Sequence, residues 1–354
     1  MKPQPLPPEW FAQNKVDGVL TRTSETIADP LLTKFTGIAE TSFAFHFLQE
    51  AQKNILLCGT LESGTVKQHY QGKIRTYRTR KEIIALLRGF MGKKRIGINE
   101  SYLTAQQAKT LRKNFPRARF TDVSEALYET RRIKTKEELG KIREAVKVTE
   151  GIMKKIPGMM DSRTTEIALG AEIEYHFAKE GCPPAFPTIV AFGKNSTNIH
   201  HFNTHTKIGK GENVLVDCGA KFQGYCADLS RTFTYGHAPE TVHTMYEKVR
   251  KAQDAAFATI RPGNHAYHSM ETAEKELGHI LPHALGHGIG LETHDTGVIH
   301  TRERKFTYLP GMAIAIEPGY YGKKWGIRLE DDGIITPHGG VERLSRAPKR
   351  LVEI

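Results

Sequence analysis

The stretch LVDCGAKFQGYCADLSRTF, residues 215–233, places acidic residues where apolar ones are expected. Asp217 directly follows Leu215 and Val216, and Asp228 opens a second run that ends in Phe233. The apolar neighbours predict core strands. GAKFQG between them is a natural turn, so a hairpin would carry both aspartates to one end of a shared surface. A carboxylate in such a place is costly unless it is paired or bound to a metal. Loop capping or an Asp228–Arg231 ion pair is the structural alternative.

The pattern recurs twice. In AIAIEPGYY, Glu317 ends an apolar run at a Pro-Gly turn, and in GIRLEDD, Glu330 follows Ile327 and Leu329. Arg328 lies two residues from Glu330, on the same strand face, and could hold it. Four such carboxylates are hard to pair with arginines. Two divalent cations would balance them, and an imidazole would add a neutral ligand. HALGHGIGLETHD, residues 283–295, offers His283, His287 and His294, and AFGKNSTNIHHFNTH, residues 191–205, offers His200, His201 and His205. Gly286, Gly288 and Gly290 around His287 would let backbone or substrate approach closely, or would serve tight strand packing. An oxygen-rich site with one imidazole points to Mn foremost, with Co, Zn or Fe as alternatives. Cys218 and Cys226 read as packing residues.

The remaining sequence supplies the frame. With 354 residues, the chain suits two domains, and 39% apolar with 25% charged residues is a globular balance. The absence of a long apolar run predicts no membrane span, and the proline-rich opening MKPQPLPPEW lacks a signal-type core. Four cysteines without a CxxC pair point to a reducing compartment, the cytoplasm. The net charge of +12 raises nucleic acid as a partner, most of all at residues 67–95, with ten Lys or Arg, one Glu, Tyr70 and Tyr77. No nucleic-acid motif accompanies this patch, so a solvated basic face is the first reading. Neither a P-loop nor a dinucleotide fingerprint is present.

Residues 1–130 read as a smaller α/β domain, with strands in VDGVLT, KNILLCG and RIGIN and helices in KEIIALLRGF and AQQAKTLRKNF. Residues 131–156 predict one helix, with Thr135 and Glu138 as a capping box. Residues 131–354 segregate helices and antiparallel strands, which predicts an α+β domain.

The series VDCGAKFQGYCADLSRTF, HALGHGIGLETHD, AIEPG and GIRLEDD resembles the metallopeptidases of the pita-bread (creatinase/aminopeptidase) fold. That family includes methionine aminopeptidase, Xaa-Pro aminopeptidase and Xaa-Pro dipeptidase (prolidase). The resemblance implies Asp217, Asp228, His287, Glu317 and Glu330 as ligands of two divalent metal ions, with Asp228 and Glu330 bridging. It implies catalytic roles for His200, His294 and Glu317, substrate contacts for His200, His294 and Arg328, and a homodimer. HDTG at 294–297 is similar to the HDVG form of aminopeptidase P. Gly297 stands where prolidases and methionine aminopeptidases have proline, and Val298 where some prolidases carry a carboxylate-binding arginine. The implied function is an Xaa-Pro aminopeptidase acting on short peptides with proline second. Prolidase is the close alternative. Methionine aminopeptidase-like activity and a metal-free binding module using the basic patch are the remoter ones.

Overall fold

Short apolar runs separated by amphipathic stretches build a mixed sheet in the first third of the chain. The computed structural model describes residues 6–23, 27–39, 46–51, 53–300 and 306–354, so the first five residues of the proline-rich opening lie outside the described residues. The chain packs as two units, Met1–Thr130 and Arg131–Ile354.

In the first unit the strand order is Lys73–Tyr77, Lys53–Gly59, His46–Glu50, Gly18–Arg22, Arg95–Ile98, Arg119–Asp122. The pairs made by His46–Glu50 are antiparallel and the others parallel. Helix Arg80–Met91 starts at Thr79, whose side chain accepts from the Glu82 amide, and it buries Ile83, Leu87 and Met91 at four-residue spacing. The basic stretch 67–95 runs from the end of helix Ser63–His69 through the edge strand KIRTY and helix Arg80–Met91 to the start of Arg95–Ile98. Cations on an exposed edge oppose strand-to-strand association. Tyr70 is buried at 2% exposure, not displayed for base stacking.

In the second unit, Thr135 and Glu138 form the expected capping box: each side chain accepts from the other's amide. The single helix expected over 131–156 is nevertheless two. Arg131 and Arg132 end helix Ser124–Arg132, and the cap opens a new helix, Lys136–Met153. A capping box fixes a helix start, so residues 131–134 cannot continue into it. Helices Glu166–Lys179, Glu240–Thr259 and Tyr267–Leu277 follow. One sheet runs Leu229–Tyr235, Glu212–Cys218, Ile189–Phe192. A second runs Val298–Ile299, Gly286–Gly288, Ala313–Ile316, Asp331–Ile335, Val341–Arg343. Every ladder in both is antiparallel, and the α+β expectation holds.

The predicted hairpin is present. Asp217 pairs with Ser230 and Cys218 with Leu229. Beyond them a small hairpin, Lys221–Phe222 with Tyr225–Cys226, turns through Gln223 and Gly224, both at positive φ (48° and 86°... the latter favoured by glycine). Cys58, Cys182, Cys218 and Cys226 are buried free thiols. Among the described residues no helix is long and apolar enough to cross a membrane.

Candidate metal centre

Strand ends deliver the acidic residues. Asp217 is the penultimate residue of Glu212–Cys218, and Asp228 directly precedes Leu229–Tyr235. His287 is the middle residue of Gly286–Gly288 and pairs with Ala315 in the strand that Glu317 follows. That strand pairs in turn with Asp331–Ile335, which Glu330 precedes. The Glu330 amide donates to Ser230 O at 3.1 Å and ties the second sheet to the hairpin. The glycines beside His287 serve close packing: a Cβ on Gly286 would lie 2.0 Å from Ala315 O, and one on Gly288 would lie 1.8 Å from Thr296 O.

His287 Nε2 lies 3.6 Å from Asp228 Oδ2, 3.6 Å from Glu317 Oε1 and 4.0 Å from Glu330 Oε1. These gaps are too long for hydrogen bonds. They suit ligands that share an ion, since atoms each about 2 Å from one cation sit roughly 3–4 Å apart. Ligand atoms of Asp228, His287 and Glu330 all fall within 4.8 Å of one another. His287 Nδ1 is 3.1 Å from Gly288 O. A carbonyl only accepts, so Nδ1 carries the proton and Nε2 presents its lone pair to the carboxylates. Burial, then the neighbouring His294, pushes the His287 pKa down to about 3 and keeps the ring neutral.

Burial pushes Asp228 and Glu330 well above the usual carboxylate range, and neighbouring carboxylates add to the shift. Glu317 is pushed up to about 8 by burial, against the opposing pull of Arg328. Asp217 Oδ1, Asp228 Oδ1 and Glu330 Oε1 are buried without a hydrogen-bond partner. Crowded carboxylates with orphaned oxygens and a bare imidazole nitrogen fit a divalent cation.

Two pairings differ from the sequence reading. Arg328 takes Asp217, not Glu330: its Nη2 is 2.7 Å from Asp217 Oδ2. Glu330 receives the Ser230 hydroxyl at 2.9 Å, and Ser230 Oγ in turn accepts from Arg328 Nε at 2.9 Å. Arg328 is 2% exposed, and its Nη1 donates to Tyr321 and Ile199 O. Arg231 pairs with Asp331 at 2.6 Å, so Asp228 lacks the arginine partner of the structural alternative. Asp332, to which the sequence reading gave no role, is wholly buried and accepts the Asp228 amide at 2.9 Å. Its only sequence signal is a third consecutive acid after Glu330 and Asp331.

The histidines divide. His294 is exposed, with its ring centroid 4.2 Å from that of His287. Its basicity is lowered by burial of part of the ring and by the nearby His200, itself exposed. His283 is held by Tyr321 at 3.0 Å, and burial pushes its pKa down to about 4. His201 points the other way, with Nε2 2.8 Å from Glu166 Oε2. Glu166 went unremarked in the sequence.

Residues 140–337 match the model of metallopeptidase family M24, and residues 28–133 match the creatinase/prolidase N-terminal domain. An uncharacterized peptidase of Bacillus subtilis is 28% identical over 97% of both chains. Among solved structures, X-Pro aminopeptidase from Thermotoga maritima aligns with a TM-score of 0.91 at 25% identity, over 98% of this chain and 100% of that one. The prolidase from Pyrococcus horikoshii aligns with a TM-score of 0.88 at 27% identity, over 97% of this chain and 98% of that one. The fold is thus shared with known Xaa-Pro peptidases, and the chain belongs to metallopeptidase family M24.

Proposed function

We propose that the chain is a dinuclear metal-dependent aminopeptidase that hydrolyses the bond between an N-terminal residue and a following proline. The convergence of Asp228, His287 and Glu330 carries this reading, with one buried oxygen on each carboxylate lacking a hydrogen-bond partner. Asp217, Asp228, His287, Glu317 and Glu330 would hold two divalent ions, manganese foremost. Such ions supply Lewis acidity toward a peptide carbonyl and a water acidified to near neutrality.

The chain's own residues do the rest. Glu317 accepts the proton of the attacking water and hands it to the leaving nitrogen. His294 and His200, exposed beside the cluster, donate to the oxygen that gains charge as the carbonyl is attacked. The carboxylates attract the free amine of the substrate, which limits cleavage to the first residue. Arg328 is buried, so its influence on substrate runs through Asp217, which it orients.

Val298, 46% exposed, offers no cation to a dipeptide's carboxylate, and this favours substrates longer than two residues. The test compares Xaa-Pro dipeptides, Xaa-Pro tripeptides and Met-Ala peptides on manganese-loaded protein. Release of the first residue from Xaa-Pro tripeptides is the expected result. Cleavage confined to dipeptides would make the chain a prolidase. Loss of all hydrolysis together with salt-sensitive polyanion binding would make it a binding module.

A further inference from the structure

We propose that Glu166 is a positioning residue for this reaction: its buried carboxylate gathers Phe192, Asn195, His201 and Thr204 and so fixes the turn that presents His200. The inference rests on the reading of His200 as a catalytic group.

Glu166 is the first residue of helix Glu166–Lys179, capped by Thr165. An acid there is favoured by the helix dipole and normally faces solvent. This one is 0% exposed. Its Oε1 accepts from the Phe192 amide at 2.8 Å and from Asn195 Nδ2 at 2.9 Å. Its Oε2 accepts from His201 Nε2 at 2.8 Å, the Thr204 amide at 2.9 Å and the Thr204 hydroxyl at 2.6 Å. Five donors on two oxygens saturate an ionised carboxylate, and hydrogen bonds to a charged acceptor are the strong ones. Burial alone would raise the pKa of Glu166, but these donors outweigh it and hold the group below its ordinary value.

The donors span residues 192–204, and His200 lies within that span. Asn203 supports the same turn: its Oδ1 accepts the Val190 amide at 2.8 Å and its Nδ2 donates to Thr188 O at 2.9 Å. On the other side, Ile199 O accepts from Arg328 at 3.3 Å. With both flanks held, the adjacent histidines separate. The His201 side chain, 8% exposed, turns into the Glu166 network, while His200 stays exposed. One histidine of the pair anchors the turn, and the other is presented.

Glu166→Gln is nearly isosteric but keeps one acceptor oxygen and aims an amide N–H₂ at donors. It should lower kcat about ten- to a hundredfold, with KM within about twofold, because small displacements of a reacting group cost rate before binding. Manganese content should match the wild type. In the metal-free protein, hydrogen exchange should accelerate over residues 192–206. In a His200→Ala background the same substitution should cost less than about threefold, since its effect passes through His200. Should Glu166→Gln fail to fold, His201→Leu, which removes one donor of five, carries the same comparison. An equal loss of kcat in both backgrounds, or unchanged exchange over 192–206, overturns the proposal. Wild-type kcat in His200→Ala alone overturns it through the reading of His200, and the exchange result keeps the two failures apart.

Discussion

Arg328 Nη2 lies 2.7 Å from Asp217 Oδ2, while Oδ1 of the same carboxylate is buried without a hydrogen-bond partner. One guanidinium thus partly neutralises one of the four crowded acids. The oxygen it leaves bare, with those of Asp228 and Glu330, is what a cation would take up.

Arg328→Met should therefore hurt the metal-free protein most. Removing one partner of a buried ion pair costs about 3–5 kcal/mol, because the other charge stays uncompensated. A bound cation can compensate Asp217 in its place. Urea denaturation with and without manganese should show the larger deficit without it. An equal deficit in both conditions would mean that Arg328 acts by packing alone.

The carboxylates also set a pH dependence. The Glu317 pKa is about 8 when folded, against 4.5 ordinarily, so the folded chain binds the extra proton. Such a group stabilises the fold when protonated, and that stability is lost as pH rises toward 8. Asp228, Glu330 and Asp332 are shifted the same way. His287 and His283, with folded values of about 3 and about 4, oppose this only below 6.5, where the unfolded imidazole is charged. Between pH 6.5 and 8 the metal-free protein should lose stability, and manganese should flatten the slope. A metal-free denaturation midpoint that is level or rises across that window would contradict the shifts.

Asp228→Asn and Glu330→Gln should each abolish turnover while the fold survives with less bound metal. His294→Ala should lower turnover more than metal content, since His294 is exposed beside the cluster while His287 presents the lone pair to it. Metal analysis and Xaa-Pro peptide assays on the same preparations separate the two effects. Near-normal turnover in Glu330→Gln would remove that residue from the site.

What could be read from the sequence was local. Acids ending apolar runs marked Asp217, Asp228, Glu317 and Glu330, and the turn GAKFQG marked the hairpin, because strand burial and turn chemistry operate over a few residues. Thr135 and Glu138 showed their cap for the same reason. Strand His46–Glu50 went unread, since its place in the sheet depends on its partners more than on its own residues. Pairings across long separations were misassigned or missed: Arg328 with Asp217, Arg231 with Asp331, Glu166 with His201. Spacing put Arg328 on the face of Glu330, but the fold brought a closer acid.

Asp295, the neighbour of His294, gives a last test of how the site is held. Its Oδ1 is ion-paired with Arg131, and its Oδ2 is 2.9 Å from Lys134 Nζ without hydrogen-bond alignment. The three side chains are 1%, 3% and 2% exposed in that order. Arg131 also reaches Glu292, whose side chain is 37% exposed. Burial pulls the Lys134 pKa down and Asp295 opposes that pull, so the lysine depends on the aspartate to remain charged in the interior. Asp295→Asn should cost about 3–5 kcal/mol in urea denaturation, because it takes the paired charge from buried Lys134 and one of two acids from Arg131. It should also slow turnover, as His294 loses the anchor beside it. Lys134→Met should be destabilising in the wild type but nearly neutral, or stabilising, once Asp295→Asn is present, because it then removes an unpaired charge. Additive losses in the double variant would show that Lys134 does not draw on Asp295 for its charge.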